Sequence, residues 1–402
     1  MREGPRNSLA RYATRRFSLA GSRLLTGPNP FFRVMDETVR DDNEQISFAH
    51  YDYLGLNHEP TVRQAAAEAA LMHGTGVGAS RLVGGERSFQ RKLERELADF
   101  VGTEGALAMV SGYGTNASLI SHLLTADDAI FYDELAHNSI VAGVRGSRAE
   151  DIVFSHNSCD SLEAALRERR KNYSRALVVT EGLFSMDGDI PDLPRILELC
   201  KRYDAWLMLD EAHSIGVLGK TGRGLTEHFG IPPSEIDLIV GTLSKSFASC
   251  GGFILGGTEV IEWLRYTLPG FVFSVGVAPG IAAGASAALA KLRQEPARVD
   301  QANLMARIFV KEAKARGFDV GVAIGAGVVP VMFADAMQTL SASQWLMNHG
   351  IYVPPIIQIG VPKELPRLRF FITCRHSTAD IVRVFDALEE WRRVGDFQSA
   401  AE

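Results

Sequence analysis

From residue 88 onwards the sequence alternates between helical patterns and short apolar runs, and this alternation limits the fold more than any other feature. Ser88 to Val101 repeats its apolar residues at helical spacing, and Leu193 to Arg202 is also a helical pattern. Helices that alternate with apolar strands are typical of α/β proteins with a mostly parallel, buried sheet. The apolar runs lie at residues 105–110, 129–132, 152–154, 176–180, 206–209, 238–241 and 253–255.

The last part of the chain predicts a second, smaller α/β unit. A closing helix from Asp380 to Arg393 follows Ser377, and the Ser-x-x-Asp spacing is that of a helix cap. Three apolar runs predict strands, at residues 328–333, 351–353 and 368–373. We therefore expect an N-terminal arm (1–45), a large domain (46–285) and a small C-terminal domain (286–402).

Composition limits the partners and the location of the protein. The 402 residues are 46% hydrophobic and 22% charged, as in ordinary globular proteins. A net charge of −6, without a basic stripe, argues against nucleic-acid binding. The four cysteines are widely spaced and form no metal motif, which predicts reduced thiols and a cytoplasmic location. No apolar run reaches the roughly 18 residues of a transmembrane segment.

The N-terminus is rich in arginine, with six arginines and one acid among its first 26 residues. Such a start is typical of an organelle transit peptide. It also fits an amphipathic helix that packs on a partner subunit, which is the interpretation we favour. The apolar core of a secretory signal is missing.

Lys245 has unusual neighbours for a lysine. The apolar run at residues 236–242 leads into it, Thr242 and Ser244 precede it closely, and Gly251 and Gly252 follow. Small residues and glycines allow a bulky group to approach the backbone. Desolvation in such a pocket lowers the pKa of a lysine and makes it a nucleophile suited to a Schiff base. This stretch alone is equally compatible with a solvated loop lysine.

Polar residues follow several of the predicted strands. Ligands of parallel sheets bind beyond the carboxyl ends of the strands, so these residues are candidates for one site. The turn from Ser111 to Thr115 stands between a strand and a helix, where free backbone N–H groups favour a phosphate. Asp210 ends a buried strand and needs a positive partner, such as a protonated pyridine nitrogen, unless it caps a neighbouring helix. His213, three residues later, can reach a group on the same ring.

Two further strand ends carry donors. The segment that leaves the strand at 176–180 brings the hydroxyl of Ser185 to the sheet edge, and the segment after 129–132 brings His137 to the same layer. A lone histidine is more often a core residue than a functional one. His137, however, is the fourth polar strand end that points the same way.

A glycine-rich segment from Gly74 to Gly85 superficially resembles a dinucleotide-binding fingerprint. A helical pattern precedes it, whereas that fingerprint requires a strand. We interpret the segment as a glycine-rich active-site loop that carries Arg81.

Together these residues supply a phosphate cradle, an acid for a ring nitrogen, hydroxyl and imidazole donors and a Schiff-base lysine. This set fits pyridoxal 5′-phosphate, whose electron-sink chemistry needs each part. From about residue 46 to residue 390 the sequence resembles the α-oxoamine synthase family. The motifs that carry the resemblance are His137, Glu181…Ser185…Asp189, Asp210-Glu-Ala-His213, Gly222-Arg-Gly224, Thr242-x-Ser-Lys245 and Arg367-Leu-Arg369.

The resemblance implies a homodimeric enzyme of fold type I that joins an amino acid to an acyl-CoA or acyl-carrier-protein thioester with loss of CO2. It implies that Lys245 bonds the cofactor and later moves the Cα proton, and that Asp210 holds the pyridine nitrogen. Arg369 is expected to pair with the substrate carboxylate, a contact suited to the guanidinium fork.

The resemblance also implies the remaining cofactor contacts. His137 is expected to stack on the ring, and His213 and Ser185 to contact its oxygen. The residues expected at the phosphate are Ser111, Gly112, Tyr113 and Thr242, with Ser274 of the partner subunit.

The sequence departs from the family pattern in three places, of which the first two bear on the substrate and the third on the phosphate contacts. Tyr51 stands where many relatives have Asn, as it does in serine palmitoyltransferases, and we take Tyr51 and Arg81 as candidate substrate-binding residues. Gln358-Ile359 replaces the usual Pro-Pro, and the hydroxyl-rich pattern at Ser274 becomes Ser-Val-Gly276.

The identity of the substrates is the most detailed prediction. The apolar pairs Ile356-Ile357 and Phe370-Phe371 either line an acyl tunnel or pack the core of the small domain. We expect serine ahead of alanine or glycine, with a long-chain acyl thioester. The alternatives are amino-oxononanoate synthase or glycine C-acyltransferase activity, an aminotransferase, or a non-catalytic subunit, against which the presence of Lys245 argues.

Overall fold

The computed structural model describes residues 9–13, 31, 45–357 and 365–399. Most of the arginine-rich N-terminus, and the Gln358-Ile359 pair, lie outside the described residues. The strands are β1 (Ile46–Ser47), β2 (Gly105–Met109), β3 (Ala129–Asp133), β4 (Glu150–Phe154), β5 (Ala176–Glu181), β6 (Trp206–Asp210), β7 (Leu238–Thr242), β8 (Gly252–Gly256), β9 (Val328–Met332), β10 (Ile351–Tyr352), β11 (Pro355–Ile356) and β12 (Arg367–Phe371).

The helices of the described chain begin with a short helical segment at residues 9–13. The others are α1 (Pro60–His73), α2 (Ser88–Val101), α3 (Gly112–Leu123), α4 (Asn138–Gly146), α5 (Cys159–Arg169), α6 (Leu193–Arg202), α7 (Leu225–Phe229), α8 (Thr258–Thr267), α9 (Pro269–Val272), α10 (Pro279–Gln294), α11 (Ala297–Ala315), α12 (Ala336–Asn348) and α13 (Thr378–Ser399).

A seven-stranded sheet forms the centre of the molecule, in the order β2-β8-β7-β6-β5-β3-β4. Strands β3 to β7 pair in parallel, and β8 pairs antiparallel with both of its neighbours. Consecutive parallel strands are joined through helices, because parallel pairing requires a crossover connection. The predicted α/β fold with a mostly parallel sheet is confirmed.

Both faces of this sheet are buried, as the apolar strand sequences predict. Leu209 of β6 packs in one hydrophobic cluster and Met208 in another, because successive side chains of a strand point to opposite faces. Phe131 and Ile130 of β3 divide between the same two clusters. Because both faces are covered by hydrophobic clusters, the polar residues that follow the strands lie at the edge of the sheet where the strands end.

The C-terminal unit has its own sheet and core. Its strands pair antiparallel in the order β11-β12-β9. Phe309, Phe370 and Phe385 are fully buried at the centre of its hydrophobic cluster. Ser377 and Asp380 exchange side-chain-to-backbone hydrogen bonds of 2.9 and 3.2 Å at the start of α13, and this is the predicted cap.

The packing of side chains differs from the expected domain limits in two places. Ile46 and Phe48 belong to the C-terminal core, and β1 pairs in parallel with β10. Helix α10, which residue 285 would divide, packs Ala282 and Leu289 into the main core. The sequence of this helix is rich in alanine and does not reveal which core it covers.

Two predictions from composition have a counterpart in the structure. The four cysteines all lie in the described residues and are free, in agreement with reduced thiols, while the cytoplasmic location stays a prediction. Among the described helices, none combines the length and the apolar character needed to cross a bilayer.

Candidate active site

A cavity of about 430 Å³ opens at the carboxyl ends of the parallel strands. It gathers most of the candidate residues from segments that are distant in sequence. Those that line it are Tyr51, Ser111, Gly112, Tyr113, His137, Ser185, Asp210, His213, Thr242, Lys245 and Arg369. Arg81 and Ser274 are not among its lining residues.

One end of the cavity is the N-terminus of helix α3. The helix begins at Gly112, where the Ser111 side chain caps it by accepting the N–H of Gly114 at 3.0 Å. A Cβ at Gly112 would lie 2.8 Å from Oγ1 of Thr242, so only glycine fits between helix and strand. Hydroxyls and free N–H groups at a helix N-terminus form an anion site suited to a phosphate.

Two buried carboxylates lie side by side at the ends of β5 and β6. Glu181 and Asp210 are register partners in the parallel pair and are 3% and 4% exposed. Asp210 accepts hydrogen bonds from Asn116 Nδ2 at 2.6 Å and from the Ala212 N–H at 2.9 Å. Burial, with the nearby Asp210, raises the pKa of Glu181 well above its usual value. Within the described residues, neither acid forms an ion pair with a lysine or arginine.

Lys245 lies on the loop after β7, facing these acids. Burial lowers the pKa of its amine to about 8, although Asp210 and Glu181 act in the opposite direction. Its Nζ is 5.8 Å from the centre of the Tyr51 ring. About a tenth of the amine is therefore unprotonated at pH 7 and about half at pH 8, far more than for a lysine of ordinary pKa.

His213 is held by a tyrosine that the sequence analysis did not select. The Tyr53 hydroxyl is 2.8 Å from Nδ1 of His213. Burial lowers the pKa of His213 well below its usual value, so the ring is neutral. A neutral ring that accepts the Tyr53 proton at Nδ1 carries its own proton on Nε2, the other ring nitrogen.

His137 caps helix α4. Its Nδ1 accepts the Ser139 N–H at 3.2 Å and lies 2.7 Å from the Ser139 hydroxyl. Its own backbone N–H donates to Glu181 at 2.6 Å, which ties the α4 cap to the acid pair. Burial lowers the pKa of His137, so an uncharged ring faces the cavity.

Arg369 and Arg367 lie on the same strand but have different partners. Arg367 forms an ion pair with Asp187 at 2.6 Å. Arg369 donates instead to the backbone carbonyl of Ser185 at 2.9 Å, and its Nε is buried without a hydrogen-bond partner. Burial lowers the pKa of Arg369. A buried guanidinium that lacks a carboxylate among the described residues is suited to bind one from a substrate.

Tyr51 stands at the opening beside Arg369. It is 41% exposed and packs edge-on against Phe371, with ring centres 4.6 Å apart. Its proximity to Arg369 opposes the effect of burial on the pKa of that residue.

The structure does not bring Arg81 to the cavity, contrary to the expectation that it binds substrate. Its guanidinium is buried and ion-paired with Glu86 at 2.6 Å and with Glu94. Arg81 thereby fastens the π-helical turn at Arg81–Gly85 to helix α2. The glycine-rich context suggested a loop open to substrate, but both carboxylate partners lie on the protein itself.

Ser274 also lies away from its own chain's cavity, on the turn that follows α9. Its neighbours Phe273 and Val275 are 85% and 51% exposed. A role of Ser274 in the site of a partner subunit stays a prediction.

Sequence reasoning missed three residues that support the cavity: Asn116, Ser139 and Tyr53. Asn116 donates to both Asp210 and Ser139, and it joins α3, α4 and β6. The signal for Asn116 was its place in the first turns of the helix after the phosphate turn. Tyr53 gave a signal through its place in the Tyr51-x-Tyr-Leu-Gly55 motif.

The residues present fit pyridoxal 5′-phosphate on observations of this structure alone. Asp210 is a buried carboxylate whose described hydrogen-bond partners are neutral N–H groups, so a pyridinium N–H would balance its charge. The helix end at Gly112 fits the phosphate, and Lys245 carries a reactive amine. Bound there, the cofactor supplies an electron sink for charge that develops at the substrate Cα.

Comparisons with known proteins agree with this geometry. The family model for aminotransferases of class I and II matches residues 43–388. A putative 8-amino-7-oxononanoate synthase of Caulobacter vibrioides is 40% identical over 88% of this chain and 90% of its own. The 8-amino-7-oxononanoate synthase of Thermoanaerobacter pseudethanolicus is 35% identical over 88% and 89% of the two chains.

Solved structures are similar over nearly the whole chain. Serine palmitoyltransferase from S. paucimobilis superposes with a TM-score of 0.89 at 30% identity, over 97% of this chain and 99% of its own. The 8-amino-7-oxononanoate synthase of Francisella tularensis, at 22% identity and a TM-score of 0.76, shows the shared fold. With the cavity and these likenesses together, the chain belongs to the α-oxoamine synthase family, as a pyridoxal phosphate-dependent enzyme of fold type I.

Proposed function

We propose that this α-oxoamine synthase condenses serine with a long-chain acyl thioester. The bond between Cα and the carboxyl carbon of the amino acid breaks and a bond from Cα to the acyl carbon forms. The products are an α-amino ketone, CO2 and the free thiol. The observation that carries the proposal is the unpaired guanidinium of Arg369, which lines the same cavity as Lys245.

The residues divide the work between binding and proton transfer. Arg369 binds the amino acid carboxylate and fixes the orientation of the Cα bonds. Lys245, with its lowered pKa, accepts the Cα proton and returns it. Asp210 balances positive charge on the cofactor ring, while His213 donates through Nε2 and His137 covers the ring.

Serine is favoured by the position of Tyr51. Tyr51 lines the same cavity as Arg369, so it lies near the expected place of the substrate carboxylate and the short amino acid side chain. Tyr51→Phe should weaken selection of serine over alanine, and Tyr51→Asn should weaken it further. Rates with serine, alanine and glycine for the three proteins measure this, and equal preference in all of them would contradict the role of Tyr51.

The long acyl chain now has less support than the sequence suggested. Phe370 is fully buried against Phe48 and Phe309, and Ile357 is also buried, so these residues pack the core. Support comes instead from Val110 and Tyr113, which line the cavity and are 38% and 50% exposed. At about 0.8 kcal/mol for each buried CH2, even partial cover of the chain favours long substrates over acetyl.

A panel of acetyl, octanoyl and palmitoyl thioesters tests this proposal, with each chain on CoA and on a carrier protein. CO2 and free thiol should appear together and fastest with palmitoyl. A rate that peaks with acetyl would contradict the chain-length proposal and leave the family unaffected. A keto acid without thiol release would indicate an aminotransferase.

Amino-oxononanoate synthase activity is the second candidate, because relatives of that name are up to 40% identical to this chain. The product name describes an amino group beside a ketone on a nine-carbon acid, which corresponds to alanine and a seven-carbon dicarboxylic acyl group. Alanine with a pimeloyl thioester therefore belongs in the same panel, and a higher rate than serine with palmitoyl would select this candidate.

We also infer a homodimer in which Ser274 serves the partner's phosphate site. The exposed Phe273 and Val275 beside it are apolar side chains that an interface would cover. Light scattering should give twice the chain mass. Ser274→Ala should weaken cofactor binding without changing the mass, and a monomer with full cofactor affinity would contradict the inference.

A further inference from the structure

His156 lies between two aspartates outside the cavity. Its Nδ1 is 2.9 Å from Asp133 Oδ1, and its Nε2 is 3.0 Å from Asp189 Oδ2. An ionised carboxylate only accepts hydrogen bonds, so both ring nitrogens must carry protons for both contacts to form. With both carboxylates ionised, this geometry is that of an imidazolium.

Asp133 controls the segment that leads to His137. It ends strand β3, is fully buried, and accepts the N–H of Leu135 at 2.8 Å. Asp133 also accepts the backbone N–H of Asn157 at 2.8 Å. The turn that places the His137 ring thus starts from a carboxylate that His156 holds.

Asp189 controls the segment that carries Ser185. Its carbonyl accepts the N–H of Phe184 at 3.0 Å, which closes the loop between them. The His156 ring packs edge-on against Phe184, with ring centres 4.5 Å apart. From the same loop, the carbonyl of Ser185 accepts Arg369 and the carboxylate of Asp187 pairs with Arg367.

We propose that His156 is a positioning residue, whose imidazolium fastens the His137 segment to the Ser185 loop and thereby sets the place of Arg369. The proposal rests on the proposed role of Arg369 in binding the amino acid carboxylate. The proposal does not depend on which amino acid or acyl chain the enzyme uses.

The electrostatics of the cluster agree with a charged ring. Hydrogen bonds and charge interactions with Asp133 and Asp189 raise the pKa of His156 to about 10, although burial acts in the opposite direction. Glu134 adds a third carboxylate nearby, which accepts the His156 backbone N–H at 2.8 Å. The ring therefore stays protonated across the neutral range.

A first experiment observes the charge directly. Nitrogen NMR of the holoenzyme with labelled histidine should show His156 at pH 8 with both ring nitrogens protonated, while His213 carries one ring proton. The His156 signals are assigned by their shift in Asp189→Asn. A neutral His156 at this pH would overturn the proposal, whatever the substrates prove to be.

A second experiment separates positioning from stability. In His156→Gln, one amide nitrogen cannot replace two opposed donors, so KM for the preferred amino acid should rise about tenfold through a displaced Arg369. KM for the thioester should stay within about twofold, since the displaced guanidinium contacts only the amino acid. Asp189→Asn, which keeps the Asp133 contact, should raise the amino acid KM in the same direction and serves where His156→Gln does not fold.

The matched control is Glu163→Gln, which removes ion pairs to Arg195 and Arg202 on the surface. It should leave both KM values unchanged. Unchanged amino acid KM in His156→Gln and Asp189→Asn, or equal increases for both substrates, would overturn the positioning role. If Arg369→Ala also left the amino acid KM unchanged, the fault would lie in the proposed role of Arg369.

Discussion

Two pairs of acids lie along the same edge of the main sheet, and they differ in how their charge is balanced. Asp133 and Asp189 hold His156 between them, and the cation comes from the protein. Glu181 and Asp210, at the ends of β5 and β6, have Asn116 and backbone N–H groups as their described hydrogen-bond donors. The Asp133–Asp189 pair, with His156, is a complete ion cluster. The Glu181–Asp210 pair, called the open pair below, forms no ion pair with a cationic side chain of the described residues.

The difference identifies the functional pair. A buried charge without its partner is costly, so a fold retains it where a ligand completes the balance. Arg367 and Arg369 repeat the comparison with the opposite sign, because Arg367 is paired with Asp187 and Arg369 lacks a described carboxylate. The unpaired acid and the unpaired base both line the cavity, where cofactor and amino acid would supply the missing charges.

Breaking the complete pair should have the largest effect on stability. His156→Gln leaves two acids without their cation and should lower the free energy of unfolding by about 3 kcal/mol, at the lower end for a broken buried ion pair. We place it there because the His156 side chain is 18% exposed. Urea unfolding of the apo-protein, beside wild type, measures the loss.

The loss of stability in His156→Gln should depend on pH. The folded pKa of His156 is raised to about 10, from about 6.5 in an unfolded chain. The stabilisation is therefore fully present below about pH 6.5 and is lost as the pH rises through about 10. The gap between wild type and His156→Gln should narrow over this interval, and a gap that widens would contradict the charged cluster.

Neutralising Asp210, in the Glu181–Asp210 pair, should reduce activity without lowering stability. Asp210→Asn removes the charge that balances the cofactor ring, and turnover should fall by about 10²–10³-fold, as for other lost electrostatic contacts. The apo-protein should be as stable as wild type or more so, because an unbalanced buried charge is gone. Asp133→Asn is the matched comparison: it breaks the His156 cluster and should lower stability, while its turnover should fall far less than that of Asp210→Asn.

The two arginines sharpen the comparison further. Arg369→Ala should weaken amino acid binding by about 1.5–3 kcal/mol, or roughly ten- to a hundredfold, with cofactor content intact. Arg367→Ala leaves Asp187 without its partner, so it should lower stability more than Arg369→Ala does. Substrate titration and thermal unfolding of both variants decide this. Loss of cofactor in Arg369→Ala would mean that the arginine is misplaced.

The smallest expected effect is a shift in the pH at which Lys245 reacts, on substitution of Asp210 or Glu181. With the pKa of Lys245 lowered to about 8, covalent trapping of pyridoxal phosphate on Lys245 by borohydride should rise in rate with pH and level off above about 8. Asp210→Asn should move this midpoint down, because Asp210 favours the charged amine. Glu181→Gln should move it less, since Asp210 has the larger influence of the two acids on the pKa of the amine. A larger shift for Glu181→Gln would reverse the assignment of charge within the pair.

The sequence by itself determined the main sheet and most of the cavity. Periodicity is a local property, so helices α2 and α6 have the predicted bounds, and the strands differ by a residue or two at their ends. Parallel strands end at one edge, and polar residues at those ends therefore meet without further information. Lys245, Asp210, His213 and the turn at Ser111 reach the cavity for this reason.

Tertiary structure decided which charges are balanced and which are left open. Arg81 and Arg369 both looked like substrate residues, but Glu94 and Glu86 neutralise Arg81, whereas Arg369 meets backbone carbonyl oxygen and an aromatic ring. Phe370 was equally compatible with a tunnel and with a core until β12 turned it towards Phe309. The partners of an ion pair or a ring come together only when distant elements pack, and no local pattern in the chain records which of them will meet.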